Sequence, residues 1–392
     1  MIRVAFTLIG GKNWTGGHNY LLNLMNAISA YQQNLITAVL FIPADAEIEI
    51  EDFFKINGIE IIQTNILNSK NRKFQLISAI FFGRIPSLNK LFIDHKIDVV
   101  FEAAQFFGWR LGLPAIAWIP DFQHKLLPHL FTKAAWWKRE IGFRAQIFGN
   151  RQIMVSSNDA HNSCIKYYPS TKRKIHTVHF AVPSRNKIDL NEAREIANQY
   201  DLPWNFIFMP NQFWRHKNHL IVLDSLEILR NRGIEITVVS SGKQSDPRSP
   251  EYYSSFEKIL KNKNLEKIFK VLGLIPYAHI QALMLSCQAM LNPSLFEGWS
   301  TTVEEARALG TPMLLSDIEV HREQMGTGAK YFIRNSAESL AEQLQLTPSF
   351  DVVEREFAQA LAKENIRARV MTFANEFGDL VVKLAEKKRN ED

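Results

Sequence analysis

Two glutamates, Glu297 and Glu305, stand eight residues apart in Asn292–Pro293–Ser294–Leu295–Phe296–Glu297–Gly298–Trp299–Ser300–Thr301–Thr302–Val303–Glu304–Glu305–Ala306. The apolar run Gln288–Ala289–Met290–Leu291 just before them reads as a short buried strand. The stretch after them reads as a helix from Thr301 to Leu309, stopped by Gly310 and Pro312. Glu297 then lies on the loop beyond the strand and Glu305 in the second helical turn, about 12 Å apart at helical rise. That separation is too long for an acid and a base acting on one bond. It suits two contacts on a long ligand. Between the carboxylates lies a helix N-terminus, where Ser300, Thr301 and Thr302 offer hydroxyls and unpaired backbone N–H groups to an anion. The ligand so described has hydroxyls at both ends and phosphate between them, as a nucleotide diphosphate sugar does. The competing reading is a capped helix with a solvated glutamate face.

Three other strand ends carry candidate groups. Strand Phe206–Met209 runs into Pro210–Asn211–Gln212–Phe213–Trp214–Arg215–His216–Lys217–Asn218–His219 and then a helix, Leu220–Arg230. A diphosphate needs cations beside amides: an exposed helix terminus contributes about 0.3–1 kcal/mol, and a charged hydrogen bond roughly 1.5–3. Lys217 and Arg215 are the cations on offer. Near the start, a strand leads into Gly10–Gly11–Lys12–Asn13–Trp14–Thr15–Gly16–Gly17 and a helix from about His18 to Tyr31. This layout lets amides approach an anion, but it is not the G-x-G-x-x-G of a dinucleotide site. Strand Ala115–Ile119 ends at Pro120–Asp121–Phe122–Gln123–His124. Ligands of open α/β sheets bind beyond the carboxyl ends of strands, which makes Asp121 and His124 cleft candidates.

Pro293–Ser294, Glu297–Gly298, Glu305–Ala306, Gly310 and Pro312 together resemble the glutamate–seven–glutamate motif of retaining glycosyltransferases of family four. Ser316–Asp317–Ile318 and His321–Arg322–Glu323–Gln324 continue the likeness, and the chain is similar to mannosyltransferases of surface polysaccharide assembly. The resemblance implies the GT-B fold: two Rossmann-like doubly wound domains facing across a cleft, with a C-terminal helix crossing back onto the first. It implies transfer of a hexose from a nucleotide sugar, a GDP-sugar by preference, to a glycan or lipid-linked acceptor, with retention and without a metal. Glu297 would hold sugar hydroxyls, Glu305 the ribose, and Lys217 the donor phosphate, with Gly298, Ser300, Thr301 and Thr302 beside it. Gly16 and Gly17 match the family's N-terminal glycine loop. Ile275–Pro276–Tyr277 stands where relatives place the nucleobase. Two departures matter. Gln212 occupies the commonest Arg position, leaving open whether Arg215 substitutes. Pro120 stands where relatives carry a cleft His, leaving Asp121 and His124 as alternatives. A GT-B epimerase or phosphorylase, and a nucleotide-sugar-binding protein without turnover, are the competing functions.

The remaining features set bounds. A chain of 392 residues predicts two domains. We expect 1–183 as the acceptor domain, 184–365 as the donor domain, and 366–392 as a terminal helix returning to the first. Strands Ile36–Ile42, Ile59–Thr64, Val99–Glu102, Ala115–Ile119 and Ile153–Ser157 alternate with helical stretches, as in a parallel sheet. A polar segment, Ala181–Lys187, reads as the linker. Apolar content of 46% and charged content of 22% fit a globular protein, and no run of 18 apolar residues is present. The first residues read as a strand rather than a signal peptide, and two cysteines, Cys164 and Cys287, fit a reducing cytoplasm. A net charge of +6 is mild and scattered, which argues against nucleic acid. Between Phe131 and Phe148, Trp137, Ile141 and Phe148 mix with Lys133, Lys138, Arg139 and Arg144. That helix is expected to give peripheral contact with the inner face of a membrane, or to be half-buried with a solvated basic face.

Overall fold

The computed structural model describes residues 1–8, 15–46, 50–103, 105–183 and 188–391. Most of the expected linker (184–187) and Gly10–Trp14 of the glycine-rich stretch lie outside them. The chain forms two compact units, one of residues 1–126, 133–181 and 368–392, the other of 127–132 and 182–367.

The first unit is a sheet of seven parallel strands: β1 (Ile2–Thr7), β2 (Ile36–Pro43), β3 (Ile59–Thr64), β4 (Val99–Ala103), β5 (Ala115–Trp118), β6 (Gln152–Val155) and β7 (Ile175–Thr177), in the order β3-β2-β1-β4-β5-β6-β7. Its central strands are continuous apolar runs because both faces are covered. Register decides what covers each. Ala5 pairs with Val39 and Val100, Val100 with Ala115, and Ala117 with Ile153, so these side chains share one face. Helices Arg72–Phe81 and Pro86–Asp94 cover one half of that face through Ala79, Leu88 and Phe92. Helix Lys133–Ile147 covers the other half through Phe143 and Ile147. On the opposite face Phe6 and Phe101 meet Phe377 of the long helix Val352–Glu391, and Tyr20 stacks on Trp118 at 4.0 Å.

Gly16 and Gly17 were expected on a loop. Instead they lie in the first turn of helix Thr15–Tyr31, which starts three residues before His18.

The second unit has six parallel strands: β8 (Ile207–Met209), β9 (Val238–Ser240), β10 (Phe269–Val271), β11 (Ala289–Asn292), β12 (Met313–Ser316) and β13 (Lys330–Phe332), in the order β10-β9-β8-β11-β12-β13. β8 and β11 are neighbours although far apart in sequence. The connections diverge there, which opens a crevice at the carboxyl ends of these two strands. Gly310 has φ +67°, and a Cβ on it would strike the Ala358 carbonyl. Arg355 is buried, and its guanidinium donates to the carbonyls of Cys287 (2.8 Å) and Gln288 (3.2 Å) just past helix Tyr277–Ser286.

Candidate functional site

The carboxyl end of β11 is a polar stop to an apolar strand. Asn292 is fully buried, so its amide must find partners within the protein. Its Nδ2 donates to Ser300 Oγ at 2.9 Å, and its Oδ1 lies 2.6 Å from Ser294 Oγ. Ser294 Oγ is also 2.7 Å from Glu297 Oε1 and can donate its single proton to either oxygen. Glu297, nearly buried, accepts from Lys217 Nζ at 2.5 Å. Lys217 arrives from the neighbouring strand end: β8 leads to a 3-10 turn, Arg215–Lys217, closed by Asn218 in the left-handed region (φ 57°). The two loops are tied directly by Leu295 N donating to His216 O at 2.8 Å. The Lys217–Glu297 pair therefore stands at the switch point between β8 and β11.

Burial pushes the Glu297 carboxyl up, but the Lys217 ammonium, His321 and the bonds from Lys217 and Ser294 outweigh it, so it stays ionised below its ordinary value. His321 is fully buried behind it, with Nδ1 2.9 Å from Ser316 O. Burial lowers its pKa to about 4, so it is neutral near pH 7. An Nδ1–H donated to that carbonyl leaves Nε2 as an acceptor, and Nε2 has no partner among the described residues.

The helix Thr301–Ala308 follows. Ser300 was expected to meet the ligand. The structure commits it elsewhere: it is buried, its hydroxyl accepts from Asn292, and its N–H donates to Gln324 Oε1 at 3.2 Å. Thr301 and Thr302 are half-exposed in the first turn, and Gly298 is half-buried beside Glu297. Glu305 is nearly buried and accepts from the Tyr277 hydroxyl at 2.9 Å. The site thus has a cation–carboxylate pair at one end, a hydroxyl–carboxylate pair at the other, and a helix N-terminus between. Arg215 is exposed on the Lys217 turn. The sequence reading passed over the roles of Asn292, Ser294 and Gln324. For Asn292 and Ser294 the signal is a polar side chain at the end of an apolar strand; Gln324 lies on helix Glu319–Met325 and carries no such signal.

In the first unit, Asp121 lies past the end of β5 and pairs with Arg139 at 2.5 Å. Burial raises its carboxyl, and the Arg139 charge and bond more than offset that. His124, a cleft candidate by sequence, is fully buried, between the rings of Trp136 and Phe143. Its Nε2 is 3.2 Å from Glu140, which also takes Tyr168 (2.6 Å), Lys125 (2.8 Å) and Arg144 (2.7 Å). His124 is thus buried in a polar knot around Glu140.

Comparison with known proteins accords with this geometry. Residues 193–349, which contain both loops and the helix, match the model of glycosyl transferases group 1. The match covers residues 193–349, about two fifths of the chain. Over 181 residues the chain is 23% identical to the O-antigen chain mannosyltransferase RfbU of Salmonella typhimurium, a match spanning 46% of each protein. The chain is similar in fold to Anabaena Alr3699/HepE in complex with UDP-glucose (TM-score 0.69, 14% identity, 98% of this chain and 100% of that one). It is likewise similar to a glycosyltransferase of Rickettsia africae (TM-score 0.63, 15% identity, 100% and 97%). Both sheets have the GT-B arrangement of those structures.

Proposed function

We propose that this protein transfers a hexose, mannose or a close relative, from a nucleotide diphosphate sugar to a glycan or lipid-linked acceptor, with retention at the anomeric carbon. The observation that carries the reading is the Lys217–Glu297 pair at the β8/β11 switch point, with Glu305 on the helix that follows, bonded by Tyr277 at the start of helix Tyr277–Ser286. An ammonium has three N–H donors. One goes to Glu297, and the other two can meet the donor diphosphate. Glu297 would hold hydroxyls of the transferred sugar through its second oxygen. Glu305, with Tyr277, would take the ribose. The similarity to a mannosyltransferase supports mannose as the transferred sugar, and a GDP-sugar is the donor we propose.

In the reaction the acceptor hydroxyl oxygen attacks the anomeric carbon on the face the diphosphate leaves. The bond from that carbon to phosphate oxygen breaks, and the acceptor proton passes to the departing phosphate. Lys217 and the amides of Thr301 and Thr302 stabilise the charge that grows there. The protein would mainly position reactants, consistent with His124 being packed away and Asp121 being held by Arg139. A thermal-shift panel of GDP- and UDP-sugars tests the reading. A ligand at 100 times its dissociation constant should add about 2.7 kcal/mol of stability. Donor hydrolysis without acceptor then separates an enzyme from a binder. A protein that no nucleotide sugar stabilises would overturn the proposal.

A further inference from the structure

Helix Arg72–Phe81 is unusually dressed for a helix flanking an α/β sheet. Only Ser78 and Ala79 are buried. Outward it shows Phe74 (74% exposed), Ile77 and Phe81 (76%), with Phe82 (68%) just beyond its end. Phe74, Ile77 and Phe81 follow helical spacing, so they form one stripe rather than scattered apolar residues. No aspartate or glutamate occurs between Glu60 and Asp94, while Lys70, Arg72, Lys73, Arg84 and Lys90 do, and all five cations are exposed. A second helix repeats the pattern. On Lys133–Ile147, Trp137 (58%) and Ile141 (60%) are exposed, with Lys133, Lys138 and Arg144 around them. Trp136 does not belong to this stripe, because its Nε1 donates to His124 O at 2.7 Å.

Register places both helices on one face of the seven-stranded sheet, since Ala5, Val100, Ala115, Ala117 and Ile153 all point to the side they cover. Their outer surfaces therefore look out from the same side of the first unit. We propose that this side is a docking surface for an anionic lipid bilayer, with the two apolar stripes entering the interface and the lysines and arginines meeting lipid phosphates. Charge complementarity favours this occupant: cations surround apolar side chains with no carboxylate across a 33-residue stretch, 61–93. Helices Ser69–Phe81 and Pro86–Asp94 are together apolar enough to cross a membrane, but they bend by 95°. Leu88 and Phe92 of the second are fully buried against the sheet, so the first lies on the membrane and does not span it. The surface is separate from the Lys217–Glu297 site and does not depend on the reaction proposed there.

The test is co-sedimentation of the full chain with vesicles of phosphatidylglycerol or of phosphatidylcholine. Binding to the anionic vesicles, falling with added salt and absent on the neutral ones, is the expected result. The double variant Phe74→Ser/Phe81→Ser should bind about tenfold more weakly, because each ring withdrawn from the interface removes apolar burial. Its thermal shift with nucleotide sugar should equal that of wild type. Should that variant not fold, Lys70→Glu/Lys73→Glu keeps the apolar stripe and should lose anionic-vesicle binding to a similar extent. Trp137 fluorescence should shift to the blue on binding. Equal binding to neutral vesicles, no binding to either kind, or unchanged binding by the charge-reversed variant overturns the proposal. Self-association abolished by Phe74→Ser/Phe81→Ser would also overturn it, assigning the face to a second copy.

Discussion

Replacing Glu297 by Gln should separate the folding and the catalytic roles of the Lys217–Glu297 pair. In the structure the carboxylate takes one N–H of Lys217 at 2.5 Å, and both side chains are largely buried. Gln keeps the shape and an acceptor oxygen but removes the charge. Ser294 Oγ retains Asn292 Oδ1 as an alternative acceptor at 2.6 Å. The loss is therefore the charge-assisted part of one bond, bounded by the roughly 1.5–3 kcal/mol of a charged hydrogen bond. At 2–4 °C per kcal/mol for a unit of about 150–250 residues, the melting temperature should fall by several degrees. Nucleoside diphosphate affinity should stay within about threefold or tighten, because Lys217 keeps its ammonium and loses a neighbouring anion. Turnover should fall by about ten- to a hundredfold, because a contact to the reacting sugar strengthens as positive charge develops there. Lys217→Ala is the contrast: it removes the phosphate cation and should weaken the nucleoside diphosphate about ten- to a hundredfold. Calorimetric titration with GDP and UDP, together with steady-state rates, reads both variants. If Glu297→Gln weakens the nucleotide as much as Lys217→Ala and leaves turnover at saturation intact, the assignment of sugar to one group and phosphate to the other is refuted.

Glu305→Gln should weaken nucleoside diphosphate itself by about tenfold while changing turnover at saturation little, because ribose belongs to donor and product alike; Tyr277→Phe, which removes only the hydroxyl that orients Glu305, should have a smaller effect in the same calorimetric series. Acid sensitivity should trace to Glu140. Burial raises its carboxyl, but bonds from Lys125, Tyr168, Arg144 and His124 bring it down to about 2 from an ordinary 4.5. A carboxyl depressed by folding stabilises fully above its unfolded value, and the benefit is lost as pH falls from about 4.5 towards 2. Glu140→Gln should lower the urea midpoint at neutral pH and flatten its decline across that acid range; a decline as steep as wild type would remove Glu140 from the account.

The second unit was the more legible half. Glu297, Lys217 and Glu305 sit on strand–loop–helix junctions, and the local pattern of an apolar run, small or polar residues and a helix start fixes where such groups must emerge. Strand β13 was not anticipated, because only Phe332 of its three residues is buried and so it carries no apolar run. Ser300 has a partner that local sequence does not show: its hydroxyl at the helix start accepts from Asn292 across the strand end. His124 could not be placed from sequence, since its burial depends on Glu140, Phe143 and Tyr168, residues brought to it only by tertiary packing. The phase of helix Lys133–Ile147 was readable in principle. Trp136 stands four and seven residues before Glu140 and Phe143 and shares their buried face, whereas Trp137 and Ile141 share the other.

The helix Val352–Glu391 starts in the second unit and from residue 368 is part of the first. Phe373 packs on Tyr20 and Phe180, and Phe377 on Phe6 and Phe101, all of them buried. A ribosome makes these two phenylalanines only after all of the second unit has been made. Until then the first sheet has a gap on one face where two aromatic rings belong, and its apolar surface is open to chaperones and to other nascent chains. The order of maturation on the ribosome should thus reverse the order of synthesis, with the second unit completing its core before the first.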